Sequence, residues 1–220
     1  MVSKIKSIKK ETKQMKQKRF SRSNVGVNTN FLEQTGTPLD TTSRDNILDF
    51  HVGTRVIYLS EGINPQTTQI FLSSLAFICE YSNDYTTPVT VLLNSNYGGD
   101  VHAMFGMVDQ LRISRVPIHT QGVGTVMSAA TGILIAGLKG ERSVSELTTV
   151  MIHDISTMME GTGNDLAIEI KYTQLIQEKM IHLLEKSTKK PARFWKTSLK
   201  RNLYLTSKEC LDYGIIDKIL

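Results

Sequence analysis

The stretch Ile118-His-Thr-Gln-Gly-Val-Gly-Thr-Val-Met-Ser128-Ala-Ala-Thr-Gly-Ile-Leu-Ile-Ala-Gly-Leu138 changes character along its length. Residues 118–123 read as a β-strand, and residues 126–138 as an Ala- and Gly-rich apolar helix. The same texture recurs upstream. Residues 55–59 have the β-branched and aromatic content of a strand, and residues 65–82 place Ile70, Phe71, Leu75, Ile78 and Cys79 at helical spacing. Residues 89–93 form a short apolar run, followed by a Gly-containing turn and a helix-like stretch over 101–113. Downstream, residues 148–152 form a further strand. The Gly-rich loop Glu160-Gly-Thr-Gly-Asn164 then leads into a long periodic segment, 165–186. Parallel neighbours need a crossover of a dozen or so residues, so strands alternating with helices of this length predict an α/β fold with a mainly parallel sheet.

In such sheets ligands collect where strands end and helices begin. Three of these turns carry reactive or permissive residues. Asn94-Ser-Asn-Tyr-Gly-Gly-Asp100 holds adjacent glycines, which let a backbone approach a substrate and aim peptide N–H groups at an anion or carbonyl. Gly124-Thr-Val-Met-Ser-Ala-Ala130 puts Ser128 near a helix N-terminus, where unpaired N–H groups and the helix dipole favour an oxyanion. Val150-Met-Ile-His153 ends an apolar strand in an imidazole, a candidate proton acceptor for a nearby hydroxyl. Each also has a structural reading: a plain Gly-Gly turn, a helix-capping serine, a packed histidine. Their convergence on one sheet edge fits an acyl-transfer site with oxyanion hole, nucleophile and base.

Composition narrows the class. The chain has 220 residues, 40% of them hydrophobic and 21% charged, which supports a buried core, and there is no apolar run of membrane-spanning length. Two cysteines, Cys79 and Cys210, supply neither a disulfide framework nor a CxxC metal pair. The net charge of +5 is concentrated at the start: residues 1–19 hold seven lysines and Arg19 against Glu11, a local +7 that leaves about −2 for the remainder. A basic, disordered arm over 1–32 and one globular domain over 33–220 follow as the expected organisation. The arm, not the body, carries the basic excess, so a nucleic-acid partner is not expected.

With these residues in view, residues 33–220 resemble the Clp protease proteolytic subunits, the caseinolytic serine peptidases. Residues 124–142, GTVMSAATGILIAGLKGER, followed by VMIH ending at His153, are similar to the family's GQAASMGA, TAGxKGxR and VMIHQP at matching spacing. Asn94-Ser with Gly98-Gly99 stands where the family has NSPGG. The Glu33-Gln-Thr35 lead-in adds to the match, as does Leu205-Thr-Ser with Tyr213-Gly214 and Asp217, where the family has FLSAxEAxxYGLxD.

The resemblance implies a crotonase-like fold of repeated ββα and βα units, with segment 165–186 as the amphipathic handle helix for ring stacking. It implies Ser128 as nucleophile, His153 as general base and the N–H groups of Gly99 and Ala129 as oxyanion hole. It also implies a homo-oligomeric barrel of stacked heptamers that cleaves unfolded polypeptides fed by a separate AAA+ ATPase. The chain has no P-loop, since the stretch from Gly132 to Lys139 lacks the GK[ST] ending, so ATP is the partner's cofactor and neither cofactor nor metal is expected here. A cytoplasmic setting is expected, with an organelle or a phage-infected host cytoplasm as variants, and no membrane association.

One departure bears on mechanism. Where the family carries the orienting Asp in RDxF, this chain has Arg201-Asn202-Leu-Tyr204. Asn202 can accept from the imidazole but cannot neutralise the imidazolium, a change that costs about 10⁴ in kcat in a trypsin-like triad. A weakly catalytic or structural subunit of a mixed barrel is therefore the alternative, and an acyl-CoA enzyme of crotonase type a more distant one. Asp154 is excluded as a replacement carboxylate by strand alternation, which turns it to the opposite face from His153.

Overall fold

The computed structural model describes residues 51, 53–81 and 84–220. The basic arm and the expected boundary near residue 32 lie outside them. Of the two compact units into which the chain divides, Arg55–Leu220 carries all the elements that follow.

In chain order these are β1 (Val56–Leu59), α1 (Pro65–Tyr81), β2 (Val89–Ser95), α2 (Val101–Ile113), β3 (Ile118–Met127), α3 (Ala129–Ala136), β4 (Arg142–Val144), β5 (Thr149–Ile152), α4 (Gly163–Ser187), α5 (Ala192–Ser198), β6 (Leu203–Leu205), α6 (Ser207–Tyr213) and β7 (Lys218–Ile219). Strands β1, β2, β3, β4 and β7 form a parallel array in that order. The α/β class expected from the alternation holds, with the crotonase-like arrangement.

β3 is longer than its apolar run suggests, because on the side away from β2 it serves two neighbours in turn. Its first half pairs with β4 through Thr120, Gln121 and Gly122, and its last residues, Thr125–Met127, pair with β5. Gly124, between the two halves, sits at φ +65, where a side chain would be strained. β6 then adds antiparallel to β5. The forked strand is what carries β3 and β5 side by side to the same edge.

The core lies between this sheet and its helices. Ile57, Val91 and Leu93 from the strands, Phe71, Leu75 and Ile78 from α1, Met107 from α2 and Ile133 and Leu134 from α3 are all fully buried. Each such side chain contributes about 1.5–3 kcal/mol by leaving water. A second tie holds the C-terminal segment. Arg142, buried at the start of β4, donates from Nε and Nη2 to the Asp217 carboxylate at 2.8 and 2.7 Å, and from Nη1 to the Ser187 carbonyl at 2.6 Å.

The long periodic segment is helix α4, opened by a capping box in which Thr162 and Asp165 satisfy each other's backbone N–H groups. The Thr162 hydroxyl bond holds the Asp165 carboxyl below the usual carboxylate range. Its second half buries Ile176, Met180, Ile181, Leu183 and Leu184, whereas its first half leaves Ile168, Ile170, Tyr172 and Leu175 exposed.

Candidate active site

Ser128 stands between β3 and α3 at φ +55, ψ −122, a backbone conformation costly for any residue with a Cβ. It is the N-cap position of α3, but its side chain makes no capping bond, so the helix-cap reading is not the one realised. The strained turn is held from outside. Its N–H donates to the Met151 carbonyl at 2.8 Å, and the buried Thr131 hydroxyl is placed to donate to the carbonyls of both Val126 and Met151, at 3.1 and 3.0 Å. The elbow is thereby bound to β5, the strand that leads into His153.

The imidazole follows directly from this arrangement. His153 is the first residue beyond β5, and its Nε2 lies 2.7 Å from Ser128 Oγ. The two residues are 25 positions apart in sequence and within hydrogen-bonding distance in space.

The Gly98-Gly99 turn after β2 forms the third side. Gly98 sits at φ +62 and Gly99 at φ +142. The Ile63 N–H donates to the Gly98 carbonyl at 2.6 Å, and the Asp100 N–H to the Ile63 carbonyl at 2.7 Å, so the turn is clamped to the 61–63 loop. The clamp is close: a Cβ on Gly99 would overlap Ile63 O, and one on Gly98 would overlap Ser128 Cβ and come within 2.9 Å of its Oγ. The extra residue and missing proline relative to NSPGG still leave a glycine backbone against the serine. Neither the Gly99 nor the Ala129 N–H finds a protein acceptor among the described residues. An Ala129 N–H without an intrahelical acceptor follows from its place in the first turn of α3.

Asn202 lies just before β6. Continuing the β5–β6 register, in which Ile152 faces Leu203, brings it opposite His153. Its side chain is exposed, and no hydrogen bond joins it to the imidazole. Asp154 differs from the expectation drawn from strand alternation. β5 ends at Ile152, so alternation no longer governs residue 154, and Asp154 lines the same cleft as His153.

That cleft, about 520 Å³, includes Gly99, Ser128, Ala129 and His153 in its wall and is floored by the buried Met104, Ile152, Ile176 and Met180. Its far wall comes from α4 through Glu169, Tyr172 and Thr173. These wall residues were not legible beforehand, since helical periodicity marks a face without saying what it faces. Tyr172 also stacks on His102 of α2, with ring centroids 5.8 Å apart and its hydroxyl 3.3 Å from His102 Nε2. Among the described residues no group of side chains has the makeup of a metal site, and no helix is long and apolar enough to cross a membrane.

A forked parallel sheet with a serine elbow and a strand-end histidine at its edge places the molecule in the crotonase-like class of α/β proteins. The Clp protease family profile matches residues 39–220. The chain is also 30% identical over 166 residues, 76% of its own length and 73% of the relative's, to the ATP-dependent Clp protease proteolytic subunit of Porphyromonas gingivalis. It belongs to the Clp protease family, a family of serine peptidases.

Proposed function

We propose that the chain is a serine endopeptidase acting on unfolded polypeptides inside a ring barrel, fed by a separate AAA+ ATPase. The observation that carries this reading is the 2.7 Å approach of His153 Nε2 to Ser128 Oγ beside the paired glycines. In the reaction, Ser128 Oγ attacks the peptide carbonyl while His153 takes its proton. The N–H groups of Gly99 and Ala129 then receive the developing oxyanion. His153 passes the proton to the leaving amine, and a water activated by the same imidazole releases the acyl group. Asn202, opposite His153 by strand register, is the proposed orienting acceptor once a bond between the two is made. The exposed apolar residues on the first half of α4 support a partner surface there, in keeping with stacked homo-oligomeric rings.

A second reading is favoured by the unmade Asn202–His153 bond: a structural or weakly catalytic subunit that shapes a mixed barrel. A fluorophosphonate probe separates the two. Labelling of the assembled protein that disappears in Ser128→Ala supports the peptidase, and absence of labelling in the assembled wild type supports the structural subunit.

A further inference from the structure

The cleft beside Ser128 has a charge asymmetry that peptide hydrolysis does not require. Asp100, Asp154 and Glu169 line it, and among the described residues neither lysine nor arginine does. All three carboxylates are exposed, and none enters an ion pair among the described residues. Asp100 Oδ1 accepts the Ala103 N–H at 2.7 Å and Asp154 Oδ1 the Ile155 N–H at 3.0 Å, which fixes both groups at the rim. Beneath them the floor is apolar. Along one wall Tyr172 is held by its stack on His102, and Tyr97, 80% exposed, stands at the mouth. An apolar floor under an acidic, aromatic rim suits a side chain with a long methylene stem and a cationic head. The stem packs on the floor while the head meets carboxylates and ring faces.

We infer that this cleft selects polypeptide segments carrying lysine or arginine over segments carrying aspartate or glutamate, an inference that rests on reading the cleft as the peptide site. The selection is electrostatic, so it weakens as salt shortens the reach of the rim charges.

The test uses full-length Ser128→Ala protein and three fluorescent decapeptides that differ only in one central Lys, Leu or Glu, with affinity read by anisotropy at low salt. The Lys peptide should bind at least about tenfold more tightly than the Glu peptide, a difference of about 1.4 kcal/mol. The preference should shrink to about twofold at ~0.5 M salt and in a variant that adds Glu169→Gln and Asp154→Asn. Equal affinities for the Lys and Glu peptides, binding of none of them, or a preference that survives the two neutralisations would each overturn the inference. Cleavage of the same peptides by the wild type is scored separately. Lys-selective binding without cleavage removes the peptidase reading and leaves the charge selection standing, whereas cleavage without charge preference does the reverse.

Discussion

Replacing Gly98 by alanine tests the site where its geometry is tightest. The new methyl group meets two obstacles at once. The backbone there is at φ +62, which costs an L-residue about 1 kcal/mol, and the added Cβ overlaps Ser128 Cβ while lying 2.9 Å from its Oγ. Ordinary contact begins near 3.4 Å, so the serine and the glycine turn must separate by about 1 Å in total. The serine's share of that separation, up to about 1 Å, displaces Oγ from its 2.7 Å approach to His153 Nε2. A misplacement of this size costs about 10²-fold in rate. The assay is the rate of fluorophosphonate labelling, with melting temperature recorded to show that the variant is folded. Gly106→Ala is the control: it lies within α2 with no atom within 4 Å of an added Cβ, so it should gain about 0.5–1 kcal/mol and label normally. A folded Gly98→Ala protein that labels within twofold of wild type would refute the packing argument.

Other consequences are open to direct measurement. Asn202→Asp should raise peptide turnover, because a carboxylate opposite His153 stabilises the imidazolium, and unchanged turnover would show that residue 202 does not orient the base. Asp217→Ala should destabilise the fold by about 3–5 kcal/mol in a denaturant titration, since it strands the buried Arg142 without its carboxylate. The same pair predicts acid sensitivity. Burial pushes the Asp217 carboxyl up, but the Arg142 hydrogen bonds more than reverse this, so its folded-state pKa is lowered. Its stabilisation is present in full above about pH 4 and is lost as the pH falls through the lower folded-state value, a loss that Asp217→Ala should not show.

The parts of the fold legible in the sequence were those long enough to show a period. Helices α1, α2 and α4 and strands β2 and β5 fall close to their expected residues, because an apolar stripe over many residues has few competing explanations. Strands β4, β6 and β7 span two or three residues each, and their pairing comes from tertiary contact alone. The expected strand over 118–123 stops short of Gly124, whereas β3 does not. It continues to Met127 because Gly122 lies where a side chain would strike Val126 and Val144, and Gly124 supplies the positive φ at the fork. The serine, the histidine and the glycine pair were visible from type and position. The α4 wall was not, since Glu169 and Tyr172 reach the cleft only through the angle at which that helix crosses the domain.

That crossing gives α4 a mechanical role. Twenty-five residues make a rod of about 37 Å, anchored at one end by five buried side chains and, toward the other, forming one side of the groove next to Ser128. Tyr172, stacked on His102, is the strut that joins this portion of the rod to α2 across the groove.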